Sequence, residues 1–423
     1  MIVVAPRAYR LPSLLALAAP LLLALACGGE PQAEASSGDV TPEASVPDSG
    51  VVKAIWVTRF DYKTREDVEL IVANCVDAGF NTIVFQVRGN ATAFYASPFE
   101  PWAIELEGQE PGGAPGFDPL AVAVEEARAA GASLHAWVNL MPAWWGTEAP
   151  TDPMQVVNAH PEWLWWDQHG ERQALCEDFY VSLNPCLPVV RRYLTDVVTD
   201  IAARYEVEGI HLDYARFPNE PPATPAGTDI DYPRDARTLD LYRRDTGLHP
   251  DDAPEGPVGA GGARHPWDAW RTEQVTALVA SIRMELATLE SPPLLTSAVT
   301  SVPERGLEHF QDSRGWVESG LVDAVFPMNY TQDAALFQER LEHWPADPDG
   351  PAVVMGVRAS LTGDHAKTRA LIQTAVDSHG GFCLFAYSNL FDSTNEAIDD
   401  QDEATRAARA ERREALLPFL REL

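Results

Sequence analysis

The sequence predicts an α/β protein built on a (β/α)8 TIM barrel with enlarged strand-to-helix loops. Three observations carry that prediction. Eight short, nearly continuous apolar runs recur from residue 54 onward, the pattern of parallel strands covered on both faces. Helical patterns alternate with them, and several end at a glycine. The first strand leads into Thr58-Arg59-Phe60-Asp61, with no glycine-rich phosphate cradle, which argues against the open doubly wound sheet.

The elements follow in order. Residues 54–58 form the first strand, and a helical pattern from Arg65 runs to a glycine stop at Gly79. The second strand, 82–87, precedes a helix over 120–130 that stops at Gly131. The third strand is 134–138. A long loop then leads to a helix over 189–205, with Leu194, Val197, Val198 and Ile201 on its apolar stripe. The fourth strand, 209–213, and a helix over 270–289 come next. Strands at 295–299, 324–328 and 352–357, a helix over 367–378 and a last strand at 382–387 complete eight repeats.

Composition excludes several classes of function. The chain has 423 residues, 31 Lys+Arg against 63 Asp+Glu, and a formal net charge of −32. Nucleic-acid binding depends on basic side chains releasing counterions, so a polyanionic surface makes nucleic acid a poor partner. Charged residues at 22% and apolar residues at 46% are globular values and exclude wholesale disorder. The acidic surface hints at neutral or cationic ligands.

Residues 1–26 read as an export signal: Arg7 and Arg10, then an apolar run ending in small residues. Leu23-Ala24-Leu25-Ala26-Cys27 resembles the bacterial lipobox, which makes Cys27 the expected lipidated N-terminus. Residues 27–50 read as a tether rich in Gly, Ser, Pro, Ala and Glu, and residues 51–423 as the barrel. The expected location is the bacterial cell envelope, on the periplasmic or surface side, with the lipid anchor touching the membrane. Cys176 and Cys186, ten apart in a polar loop, could form a disulfide in such a compartment. Cys75 and Cys383 read as buried thiols.

In such a barrel the site is built at and beyond the C-terminal ends of the strands. Those positions offer Arg59 and Asp61 after the first strand, Gln86, Arg88 and Asn90 at the second, and Asn139 at the third. The fourth gives Asp213, Tyr214 and Arg216, and the fifth leads to Glu304. Asn329 and Tyr330 end the sixth, Arg358 the seventh and Tyr387 the eighth. Amides, guanidinium groups and rings suit sugars, whose hydroxyls need hydrogen-bond partners and whose C–H faces pack on aromatics. Five of the twelve tryptophans fall between Trp144 and Trp166, the expected wall of a groove. His135 and His211 lie on adjacent strands, but no third ligand stands at a suitable spacing, so no metal or other cofactor is expected.

The strongest local signal is Gly209-Ile210-His211-Leu212-Asp213-Tyr214-Ala215-Arg216-Phe217-Pro218, in which Arg216 could keep a strand-end carboxylate ionised. This decapeptide resembles the fourth-strand motif of the glycosyl-hydrolase-like bacterial lipoprotein family, glycosyl hydrolase-like family 10. Further similarity runs in order from about Lys53 to about Asn389. It includes Phe80-Asn81-Thr82-Ile83-Val84-Phe85-Gln86-Val87-Arg88, His160-Pro161-Glu162-Trp163, Leu183-Asn184-Pro185 and Pro327-Met328-Asn329-Tyr330. The resemblance implies a (β/α)8 barrel acting on cell-wall or exopolysaccharide glycans. Many relatives carry Asp-Asp-Tyr where this chain has Asp213-Tyr214, so only the first carboxylate carries over.

Glycoside hydrolysis normally needs two carboxylates. Asp213 is the expected central one. Glu304, then Asp61, then Glu162 are the candidates for its partner. Arg59, Gln86, Arg88, Asn139, His211, Arg216, Asn329, Tyr330 and Tyr387 are the expected sugar-binding residues. The expected activity is cleavage of O-glycosyl bonds. The alternatives are a non-catalytic glycan-binding lipoprotein on the same barrel and a metal-dependent deacetylase.

Overall fold

The computed structural model describes residues 50–106, 113–177, 179–218, 230–251, 266–346, 352–361, 363–392 and 402–423. The expected signal, Cys27 and all of the expected tether except Gly50 lie outside the described residues. No helix among the described residues is long and apolar enough to cross a membrane.

Eight parallel strands close into a barrel. They are β1 Val52–Val57, β2 Thr82–Arg88, β3 Ser133–Asn139, β4 Gly209–Asp213, β5 Leu294–Thr300 and β6 Ala324–Met328. β7 comes in two pieces, Ala352–Val353 and Met355–Arg358, and β8 is Gly381–Phe385. Each strand pairs with the next, and β8 returns to β1 from Val52↔Gly381 to Trp56↔Phe385. That last pairing removes the free edges and makes the sheet a barrel.

The helices of six or more residues among the described residues are α1 Arg65–Asp77, α2 Pro119–Ala129, α3 Pro188–Arg204, α4 Ala236–Thr246, α5 Pro266–Leu286, α6 Ser313–Glu318, α7 Ala334–Glu342, α8 His365–His379 and α9 Glu403–Glu422. Their starts follow capping chemistry. Thr64 and Asp67 form a capping box at α1, and Asp118, Asp235, Asp333 and Asp364 each accept an N–H of their own helix's first turn. α1 stops where Gly79 adopts φ +92°, and a Cβ there would lie 3.0 Å from the Leu420 carbonyl. The end of α9 therefore docks under β1, where Lys53 also holds Leu420 O at 3.2 Å.

Strand side chains alternate between two environments. Ile55, Val57, Ile83, Phe85, Leu134, Ile210, Leu212 and Val325 face the helices and join the larger core. Ala54, Trp56, Val84, Trp137, Phe326, Val354 and Cys383 fill the barrel interior. His211 is also inside: its Nε2 accepts from Trp56 Nε1 at 3.2 Å, and its Nδ1 lies 2.9 Å from Thr296 Oγ1. Thr296 Oγ1 in turn donates to Ile210 O at 3.3 Å. Burial drives the His211 pKa well down, so the ring is neutral with its proton on Nδ1. Gly209 pairs with His135, and a Cβ there would lie 2.6 Å from that imidazole, so the glycine makes room for the second interior histidine.

Candidate active site

Asp213 ends β4 on the face it shares with His211, two residues before it, so its carboxyl points up the inside of the barrel. It pairs with Asn139 of β3 and is 7% exposed. Tyr214 N–H donates to Asp213 Oδ1 at 2.6 Å. The Trp137 indole N–H lies against the same carboxyl and donates to Asn139 Oδ1 at 2.9 Å. Arg216 stacks its guanidinium 4.7 Å over the Tyr214 ring. Burial raises the Asp213 pKa, and Arg216, the Tyr214 amide and Trp137 only partly oppose it. Arg216 thus favours the ionised form, as the sequence suggested, while loss of hydration outweighs it and leaves the Asp213 pKa above the ordinary carboxylate value.

Aromatic rings cluster around this strand end. Tyr330, just after β6, feels the charge of Asp213, packs 5.3 Å from Phe385 and meets Trp56 edge-on at 6.3 Å. Tyr214 lies 5.6 Å from Tyr180 and 6.3 Å from Phe179, both delivered by the long loop after β3. Arg59 adjoins Tyr180: its Nη1 donates to Tyr180 OH at 3.3 Å, and its Nε pairs with Glu105 at 3.3 Å. Gly89 is bare so that this guanidinium can pass, since a Cβ there would lie 2.2 Å from Arg59 Nη1.

Several expected sugar ligands are engaged elsewhere. Arg88 is fully buried and gives Glu100 a forked pair at 2.6–2.9 Å, with its Nη1 on the Asn139 and Leu140 carbonyls. Asn329 donates to Phe337 O at 3.0 Å, and Tyr387 OH accepts from Asn74 of α1 at 2.8 Å, so both serve the barrel's outer layer. Gln86 spends its carbonyl on Arg59 N–H at 3.0 Å, Asn139 its amide on Gly89 O at 3.2 Å, and His211 belongs to the core. Strand-end placement identified these residues but not the direction their side chains take.

The candidate second carboxylates are also displaced. Glu304 sits in the short helix Pro303–Leu307, 56% exposed, with Arg314 at 3.0 Å and His343 at 3.3 Å. It belongs to the outer surface. Asp61 is buried, taking Thr58 N–H at 2.6 Å and Thr58 Oγ1 at 2.9 Å, and it faces Ser388 and Arg409. Burial pushes its pKa up to about 6. Glu162 is exposed beside His160, which stacks 3.7 Å on Trp163.

The tryptophan-rich loop is mostly core. Trp163 and Trp165 are buried, the latter donating to Leu183 O at 3.0 Å, and only Trp145 of the five is exposed, at 46%. The disulfide does not form. Cys176 and Cys186 are both free, the first bonding to Phe179 O and the second sealed in the hydrophobic core. Among the described residues no three His, Cys, Asp or Glu side chains gather as a metal site would require.

Sequence reasoning missed Trp137, Tyr180, Phe385 and Glu105. Two-residue alternation back from Asn139 would have placed Trp137 inside the barrel. Tyr180 and Glu105 come from loops, whose paths periodicity does not encode.

A parallel eight-stranded barrel with a carboxyl and aromatic rings at its C-terminal mouth is the architecture of a glycoside-hydrolase-like protein. The chain belongs to the glycosyl hydrolase-like 10 family, whose model matches residues 51–358. It is 27% identical over 317 residues to glycosyl hydrolase DigH of Escherichia coli, a match covering 68% of this chain and 64% of that relative. It is 23% identical over 325 residues to glycosyl hydrolase YngK of Bacillus subtilis, covering 70% and 56%. The matches thus span less than two thirds of the length of these relatives. Among solved structures, the glycoside hydrolase domain of PgaB (BpsB) from Bordetella bronchiseptica superposes with a TM-score of 0.53. That match has 11% identity and covers 85% of this chain and 98% of the other. The catalytic domain of β-amylase from Paenibacillus polymyxa gives a TM-score of 0.55 at 11% identity, covering 87% and 98%. These structural likenesses concern the fold.

Proposed function

We propose that the protein hydrolyses glycosidic bonds in a cell-envelope or extracellular polysaccharide, with Asp213 as proton donor to the leaving oxygen. The observation that carries this reading is one carboxyl inside the barrel mouth, raised in pKa by burial, with rings clustered around its strand end. A carboxyl whose pKa is raised by burial gives up its proton more nearly in step with a leaving glycosidic oxygen than an ordinary surface carboxyl does. Arg216 and the Tyr214 N–H then stabilise the carboxylate left behind. Tyr330, Phe385, Tyr180 and Tyr214 would bracket the sugar ring, and Arg358 would meet its hydroxyls, while the buried Arg59 holds Tyr180 in place. Family membership and relatives named as glycosyl hydrolases support the reading.

A second reading, glycan binding without cleavage, is favoured by one observation. Glu304 faces the outer surface and Asp61 is held by Thr58, so neither stands ready as nucleophile or base. Product analysis after incubation with a panel of wall and matrix polysaccharides separates the two. Shortened chains that vanish in Asp213→Asn support hydrolysis; intact chains that still bind support the second reading.

We further propose export and lipid anchoring at Cys27, on the lipobox-like sequence alone. Labelling with a fatty acid, abolished by Cys27→Ser, is the test.

A further inference from the structure

Two acceptors face one indole N–H beneath the barrel mouth. Strand pairing sets Asn139 beside Asp213 and Trp137 beside His211, so all four side chains rise along one face of the barrel interior. Adjacent strands run about 4.8 Å apart, which brings the heads of Asn139 and Asp213 within reach of a single donor. The Trp137 ring, 6% exposed, stands two residues below them among the interior side chains. Its N–H points up the barrel and donates to Asn139 Oδ1 at 2.9 Å. The same N–H lies against the Asp213 carboxyl. Asn139 is held in this orientation by its Nδ2, which donates to Gly89 O at 3.2 Å and leaves Oδ1 toward Trp137.

The two acceptors differ in how they respond to a proton. An amide oxygen stays neutral, whereas Asp213 passes from a neutral carboxyl to a carboxylate, and a bond to a charged acceptor is roughly twice as strong as a neutral one. An indole N–H only donates, so it follows the charge without carrying a proton onward. Other groups also face this carboxyl. Arg216 and the Tyr214 amide come from the end of β4, and Tyr330 comes from the end of β6, with Arg358 and Cys383 behind it. His211 lies below, kept neutral by burial, and burial likewise keeps Tyr330 and Cys383 neutral. The arginines keep their charge. His309 stands beyond Arg216, and burial lowers its pKa from the ordinary 6.5, so its titration is the one to separate from that of Asp213.

We propose that Trp137 is a positioning residue whose indole N–H changes acceptor with the charge of Asp213. It rests on Asn139 Oδ1 while the carboxyl holds its proton, and turns to the carboxylate once that proton has gone to the leaving oxygen. No bond of the indole breaks, and the only proton that moves is the one from Asp213 to the glycosidic oxygen. This rests on the proton-donor role given to Asp213 above and deepens it: the carboxylate left by the transfer meets a hydrogen-bond donor already in place inside the barrel.

The test is a pH titration of the full chain by NMR, with no substrate added. The chain carries isotope-labelled tryptophan and aspartate labelled at its side-chain carboxyl carbon. The Trp137 indole signal is the one of twelve lost in Trp137→Phe, and the Asp213 carboxyl signal is the one lost in Asp213→Asn. As pH rises, the Trp137 indole proton moves downfield with the same midpoint as the Asp213 carboxyl, because the bond to a carboxylate is shorter and stronger. In Asp213→Asn that movement is absent, and in His309→Gln it persists. Trp137→Phe raises the carboxyl midpoint by about 1 pH unit, since the carboxylate has lost a donor. An indole signal that ignores the carboxyl overturns the proposal, as does one that still moves in Asp213→Asn or stops moving in His309→Gln. An unchanged carboxyl midpoint in Trp137→Phe overturns it too. If Trp137→Phe fails to fold, the indole signal is assigned through its contacts with the Asn139 side-chain amide, and the Asp213→Asn comparison decides alone. The hydrolytic reading is tested separately by product release. Cleavage that depends on Asp213 beside a motionless indole signal sinks this proposal alone, and an indole that follows the carboxyl in a chain that cleaves nothing sinks the hydrolysis alone.

Discussion

Asp213 and Tyr214 are bonded across their own peptide: the Tyr214 N–H donates to Asp213 Oδ1 at 2.6 Å, with Tyr214 held at φ 50°. A left-handed backbone at a tyrosine costs about 1 kcal/mol or more, and here it fixes the carboxyl while laying the ring beside Tyr180 and Arg216. Asparagine at position 213 keeps an oxygen for that amide and removes the titratable carboxyl. Asp213→Asn is therefore expected to lower turnover by at least about 10²-fold with no loss of thermal stability. Steady-state rates beside a melting curve check this; full turnover in the variant would remove Asp213 from the chemistry.

Glu304 provides the contrasting case. Its pairs with Arg314 and His343 are exposed, where water and salt weaken them. Glu304→Gln should leave turnover within twofold of wild type and change unfolding free energy by less than about 1 kcal/mol. A rate loss comparable to that of Asp213→Asn would return Glu304 to the site.

Asp61 sets a pH dependence of stability. Its pKa in the folded chain is raised from the ordinary 3.8 to about 6, chiefly by burial, against the hydrogen bonds of Thr58 and Ser388 and the charge of Arg409. Between roughly pH 4 and 6 the native state thus holds a proton that the unfolded chain has released. This group's share of the stability is full below pH 4 and falls as pH rises through 6, by about 3 kcal/mol in all. Urea unfolding of wild type and Asp61→Asn across pH 4–7 should show a flatter profile for the variant. Parallel profiles would mean that Asp61 titrates as an ordinary carboxyl.

How far the sequence could be read depended on which physics each feature obeys. The eight strands were legible because burial on both faces makes each an apolar run, and all eight occur in the expected places. The last was read two residues too long, since Tyr387 already belongs to the turn after β8. Asp213 was legible because a carboxyl ending an apolar strand needs a reason. The directions of Arg88, Asn329 and Tyr387 were not, because strand position fixes a face while the final side-chain partner, Glu100, Phe337 O or Asn74, comes from a distant segment. The tryptophan cluster misled for a related reason: ring count reports apolar area, which a folded loop buries as readily as it displays.

Arg88 makes the difference between a sugar ligand and a structural ion measurable. Its guanidinium and the Glu100 carboxylate are both sealed from water, and Tyr193 OH adds a hydrogen bond to Glu100 at 2.6 Å. Removing the cation alone leaves a buried carboxylate without its counter-charge, which typically costs about 3–5 kcal/mol. Arg88→Leu is thus expected to destabilise by that amount. Arg88→Leu with Glu100→Leu should recover much of the loss, since no charge is then stranded. Urea unfolding of both variants measures the two effects, and Michaelis constants on the folded fraction should stay near wild type. A stable Arg88→Leu with a raised KM would instead place the guanidinium on the glycan.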